Sequence, residues 1–190
     1  MVCEMLNAIR VSLFRRVCVI AVIVCLTAAS LFNSHLSTVS AHSASVNSSI
    51  PANLQVPAHE RLVLQATVKQ GVQVYRCTAP GYWSLLGPTA LLQGTHGELI
   101  VHSFGPRWQG SDGSVITAQS IASLPQLSSI PWQLYKVNSH SGHTGLLSHI
   151  NYVQLLNTTN GVSTIFCNTA ADTSLMTVPY SATYMFWQPQ

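Results

Sequence analysis

The chain has 190 residues, 47% of them apolar and only 7% charged, with a formal net charge of +3. An average soluble domain carries roughly 25% charged residues, so solubility here rests on Ser, Thr, Asn, Gln and His, a balance that suits an exported protein and excludes a highly charged disordered chain. Beyond residue 41 the basic residues Arg61, Lys69, Arg76, Arg107 and Lys136 stand against Glu60, Glu98, Asp112 and Asp172; with no basic stripe to neutralise phosphates, nucleic acid is excluded as an expected partner.

Residues 10–32 read RVSLFRRVCVIAVIVCLTAASLF, a basic start followed by an uncharged run from Val17 to Phe32. That order predicts a secretory signal over residues 1–41, with Val39-Ser40-Ala41 as the small-residue cleavage pattern. The rival reading is a retained membrane anchor, although sixteen residues fall short of the roughly 20 that span a bilayer. Either way the remainder faces outside the cytoplasm, secreted or at the cell surface, and the membrane is a partner only through an uncleaved leader. Residues 42–55, rich in Ser, Asn and Ala, are expected to be a flexible linker, and residues 56–190 a single β domain.

Outside the leader only Cys77 and Cys167 remain. In an oxidising compartment they most simply form one disulfide closing a long loop. The alternative, a two-thiol metal site, has no close second Cys or His at finger spacing.

Within the domain, short runs rich in Val, Ile, Thr and aromatic residues are separated by Gly, Pro, Ser and Asn. In chain order they cover residues 61–69, 72–77, 82–86, 98–104, 114–122, 132–138, 149–157 and 182–187. Alternation is visible in VQVYRC, where Val72, Val74 and Arg76 share one side and Gln73, Tyr75 and Cys77 the other. No long amphipathic helix and no strand–helix alternation is present, so the expected fold is all-β, an antiparallel β-sandwich or small barrel.

Four groups of residues carry a more specific signal: GVQVYRC (71–77), His102-x-x-Gly-Pro-x-Trp-x-x-x-Asp-Gly-Ser, VQLLNT (153–158) and the closing VPYSATYMFW (178–187). Together with IPW (130–132) and Cys167 they resemble the exported family called domain of unknown function 3455, over about residues 54–188. The resemblance implies no established activity. Relatives usually carry Arg where Leu155 stands and Gly-Gly where Asn160-Gly161 stands. A dehydrogenase reading lacks support, since there is no Gly-x-Gly-x-x-Gly after a strand, and no cofactor is implied.

The densest stretch is HSFGPRWQGSDGS, 102–114. Its Gly-Pro and Asp-Gly pairs predict turns, so a bland reading has residues 98–104 and 114–122 pairing around a long loop plugged by Trp108. The functional reading takes His102, Arg107, Trp108 and Asp112 as ligand-binding candidates, with His102 and Asp112 as candidate catalytic residues, because a carboxylate would fix the imidazole tautomer and raise its basicity. A weaker candidate is NSHSGHTG (138–145), where His140 and His143 stand at metal-ligand spacing but in what reads as a polar loop. The aromatics Tyr82, Trp83, Trp108, Trp132, Tyr184, Phe186 and Trp187 either fill the core or offer stacking surfaces. Asn47 and Asn157 each begin an N-glycosylation triplet.

The expected function is a secreted or cell-surface binding module for a small molecule, glycan or protein. The alternative is a secreted hydrolase or metal-assisted enzyme using His102 with Asp112, or with His140 and His143. The two differ in whether those side chains converge in one pocket.

Overall fold

The computed structural model describes residues 50–78, 81–167 and 174–190. The leader, its cleavage pattern, the linker up to Ser49 and the Asn47 triplet lie outside the described residues.

Period-two burial builds the first strand, β1 (Glu60–Thr78), in which Gln73, Tyr75 and Cys77 are buried while Arg76 is exposed. It is followed by β2 (Tyr82–Gly94), β3 (Leu99–Ser103), β4 (Arg107–Gly110), β5 (Ser114–Leu124), β6 (Trp132–Gly142), β7 (Tyr152–Asn160) and β8 (Leu175–Pro189). Each strand pairs antiparallel with the next, and β1 also pairs with β8, so the sheet closes on itself. The all-β expectation holds, and of sandwich and barrel the architecture is the barrel. Closure leaves no unpaired edge strand to template aggregation.

Closure demands bends, and the long strands supply them. Register shifts fall at Val68/Gln70 and Val74/Tyr75 where β1 meets β2, and between Leu156 and Thr159 where β7 meets β8. At Gly71 a Cβ would lie 2.8 Å from the Ala90 Cβ and 3.0 Å from the Tyr180 ring, so this position on the bent strand accepts no side chain.

Two hydrophobic clusters lie on opposite faces of the sheet. The barrel interior is filled by Leu92, Ile100, Trp108, Ile116, Tyr135, Val153, Tyr184 and Phe186, among others. Outside, the segment from Ile50 to Val56, with its single 3-10 turn Ala52–Leu54, covers Leu134, Leu156, Met185 and Trp187. While Ala52, Asn53 and Gln55 stay exposed, Ile50 and Leu54, expected to belong to the linker, are therefore packed. Gln154 fixes them: its Nε2 donates to the Leu54 carbonyl at 2.7 Å, while its Oε1 accepts from Trp187 Nε1 at 2.7 Å. A fully buried amide is tolerated here because both ends are paired.

The expected pairing of residues 98–104 with 114–122 is not found. Residues 107–110 form β4 between them, with His102 opposite Trp108 and Trp108 opposite Ile116. The long loop is two tight turns around a four-residue strand, for which Gly105 (φ 59°) and Gly113 (φ 86°) supply the left-handed backbone. His140, expected in a loop, lies on β6 opposite Ile116.

In this meander alternate connections share an end. The connections β1–β2, β3–β4, β5–β6 and β7–β8 meet at one end of the barrel, where Cys77 and Cys167 form a disulfide with Cα atoms 5.7 Å apart. The disulfide expected from the sequence is thus present. No helix among the described residues is long and apolar enough to cross a membrane.

Candidate functional site

The 102–114 stretch divides into three environments. His102 and Trp108 point into the barrel, 2% and 0% exposed, with their rings stacked at 4.5 Å. Tyr184 meets both rings edge-on, and Tyr135 and Phe186 meet Trp108 in the same way. The His102 Nδ1–H donates to the Arg107 carbonyl at 3.1 Å, which fixes the tautomer. Burial holds the imidazole down to about 4 despite that hydrogen bond, so it is neutral at ordinary pH.

Arg107 is half-buried, and its guanidinium donates to Gln109 Oε1 at 3.0 Å. Asp112 sits in the β4–β5 turn, at the end of the barrel opposite the disulfide. One of its oxygens accepts from the Ser114 amide and hydroxyl, and the other from the Leu146 amide. Those donors, led by Leu146, hold its carboxyl below the usual range. His102 and Asp112 share no hydrogen bond among the described residues. His140 Nε2 bonds the Ile150 carbonyl at 2.8 Å, and His143 packs on Gly113. Among the described residues no group of three or more His, Cys, Asp or Glu is placed to hold a metal ion.

The ends of the barrel differ in character. At the disulfide end Tyr82, Phe104, Leu127, Ile165, Phe166 and Leu175 are all exposed, Phe166 by 86%. The connections at the other end carry His96, Glu98, Asp112, His143 and His149. Beneath the β7–β8 connection at the disulfide end opens a cleft of about 420 Å³ lined by Tyr75, Tyr82, Trp83, Ser163, Ile165 and Phe166. Ligand sites typically span about 300–1,000 Å³ and combine apolar walls with a few polar groups. The Tyr75 hydroxyl donates to the Gly161 carbonyl at 2.6 Å, tying the wall of the cleft to the connection above it. The Trp83 Nε1–H is buried and has no hydrogen-bond partner among the described residues. Gly161 has φ 84° and would bring a Cβ within 2.8 Å of Ile130, so glycine is required where the chain turns over the cleft.

From the sequence Tyr82 and Trp83 read only as general aromatics, and Ile165 and Phe166 carry no expectation. The available signal was an apolar pair standing just before a disulfide cysteine in an otherwise polar stretch. Leu155 faces the interior opposite Tyr184, and Asn160 takes the left-handed backbone (φ 58°). Asn157 is exposed at the β7 irregularity with φ 51°.

Fold and site together define a closed eight-stranded antiparallel barrel, with a disulfide, exposed aromatic and aliphatic side chains and a cleft at one end. The chain belongs to the family described as a protein of unknown function (DUF3455), whose model matches residues 57–188. No curated protein and no solved structure matches the chain.

Proposed function

We propose that this protein is an exported binding module that takes a small molecule with an apolar body into the cleft at the disulfide end of the barrel. The observation that carries the reading is the aromatic and aliphatic surface at that one end, from which Tyr82, Ile165 and Phe166 line a cleft of ligand size. The disulfide supports an extracytoplasmic location, because such bonds persist where the medium is oxidising. It also fixes the connection that carries Ile165 and Phe166, so the wall is held in place before a ligand arrives, which lowers the ordering cost of binding.

His102 and Trp108 support this module from below as part of the packed interior. Arg107 and Asp112, on the outer surface, have no part in the cleft. The test is titration of the protein with N-phenyl-1-naphthylamine, an uncharged probe that fluoresces in apolar surroundings. Saturable one-to-one enhancement is expected, weakened about tenfold by Phe166→Ser, on the order of 1.4 kcal/mol. Equal enhancement in wild type and variant overturns the cleft as the site.

A further inference from the structure

The exposed apolar side chains are sorted along the barrel. Tyr82, Phe104, Leu127, Ile165, Phe166 and Leu175 stand at the disulfide end, so that each of its four connections presents at least one, at its tip or beside it. The connections at the opposite end, residues 95–98, 111–113 and 143–151, present no exposed large apolar side chain. Single apolar residues are ordinary on a surface, whereas a set gathered at one end marks a place of interaction.

Charge is sorted the other way. Glu60, Glu98 and Asp112 all lie toward the end away from the disulfide. Arg76 and Arg107 stand near the disulfide end on the outer wall. Arg76 is two residues before the end of β1, flanked across the sheet by Leu175 and Ser84, and Arg107 opens β4. Neither guanidinium pairs with a carboxylate among the described residues. The one acidic residue that the sequence adds to these connections, Asp172, lies outside the described residues and is outnumbered by the two arginines.

The order in depth is what selects the partner. A strand rises about 3.3 Å per residue, so Arg76 is set back roughly 7 Å from the end of β1. An apolar element lying in a membrane interface enters it by about 5–10 Å, which leaves cations one step behind the tips at the level of the lipid phosphates. Tyr82 adds an amphipathic ring of the kind enriched at that level. The four connections are spaced round the rim of a closed barrel, and a fluid layer admits separate tips without a matching shape.

We infer that the disulfide end of the barrel docks on an anionic lipid surface, with Phe104, Leu127 and Phe166 entering the hydrocarbon boundary and Arg76 and Arg107 meeting lipid phosphates. Arginine suits that role because its planar fork donates two hydrogen bonds to one phosphate. The inference goes beyond the cleft reading and does not need it, since Phe104, Leu127 and both arginines are outside the cleft lining.

The test uses the full chain, ¹³C-labelled at Ile, Leu and Val methyls, with bicelles of phosphatidylcholine containing phosphatidylglycerol and a nitroxide-bearing lipid. The readout is which end of the barrel meets lipid, so it does not depend on whether residues 1–41 are retained. The Leu127, Ile165 and Leu175 methyls are expected to relax at least about fivefold faster than those of Val63 and Leu99, exposed toward the opposite end. Omitting phosphatidylglycerol, or substituting Arg76→Gln with Arg107→Gln, is expected to cut that enhancement about fivefold. Enhancement shared equally by Val63 and Leu99, absent at the disulfide end, or unmoved by lipid charge overturns the inference. Absence together with concentration-dependent self-association gives the end to a second copy of the chain instead. Phe104→Ser with Leu127→Ser is expected to lose the enhancement yet, without lipid, to bind N-phenyl-1-naphthylamine as the native protein does. Failed docking with probe binding intact overturns this inference alone, and docking without probe binding overturns the cleft reading alone.

Discussion

The imidazole of His102 and the indole of Trp108 lie face to face across the β3–β4 pair, centroids 4.5 Å apart and planes within 2° of parallel. A neutral ring in that position is part of the packing, and protonating it places a charge inside the barrel. The folded protein resists the proton until about pH 4, whereas the unfolded chain takes it near 6.5. The unfolded state therefore binds more protons between those values. Stability contributed by neutral His102 is full above about pH 6.5 and is lost as pH falls toward about 4, on the order of 3 kcal/mol. Urea unfolding near pH 7 and near pH 4.5 measures the difference. His102→Phe is expected to flatten the dependence over this window, and an unchanged slope in the variant contradicts the assignment.

Trp108 touches four other aromatic rings, those of His102, Tyr135, Tyr184 and Phe186. Trp108→Ala is expected to cost about 3–5 kcal/mol, as for other large aromatic truncations in cores. Trp108→Phe is expected to cost markedly less. Equilibrium denaturation checks both, and a loss under about 1 kcal/mol for the alanine variant would mean the interior collapses around the gap.

Cys77 and Cys167 are 90 residues apart in sequence. By chain entropy their bond is worth on the order of 4 kcal/mol, so a Cys77→Ser, Cys167→Ser double variant is expected to fall in stability by that order. Because Phe166 adjoins Cys167, the same variant is expected to lose probe binding at the cleft under conditions where the barrel is still folded. Retained binding would show that the connection needs no staple.

Asp112 links two turns at the opposite end, through Ser114 on one oxygen and Leu146 on the other. Asp112→Ala is expected to cost about 1–2 kcal/mol, because charge-assisted hydrogen bonds are the stronger ones. Hydrogen exchange at the Leu146 amide is expected to accelerate, while amides at the cleft keep their protection. Acid works in the same direction: the carboxyl titrates below its usual range in the fold, so this contribution is present above that range and is lost as pH falls through it.

Much of the fold was legible because a strand buried on one face leaves a period-two trace. Gln73, Tyr75 and Cys77 were already grouped on one side of β1, and that side is the interior. Closure was less visible, since sandwich and barrel bury alternate residues equally and differ only in whether β1 pairs with β8. β4 went unread because RWQG carries no apolar alternation beyond Trp108, and flanking glycines made it look like loop. His102 and Asp112 looked like a pair at ten residues' separation, but the intervening β4 sends one into the barrel and the other to its far end. The cleft was the least legible, since Ile165 and Phe166 are brought to it by contacts between residues distant in sequence, the Cys77–Cys167 bond and the Tyr75–Gly161 hydrogen bond among them.

If the disulfide end of the barrel seats a small apolar molecule, as proposed, a bound probe must contact its side chains. Intermolecular NOEs between unlabelled N-phenyl-1-naphthylamine and the ¹³C-labelled native protein test it most directly, at one probe per chain. The expected result is NOEs from the probe to the Phe166, Ile165 and Trp83 side chains at a single site. NOEs confined to the exposed strand walls, such as Val63, Leu99 and Val101, or spread over the surface with no common site, would contradict it.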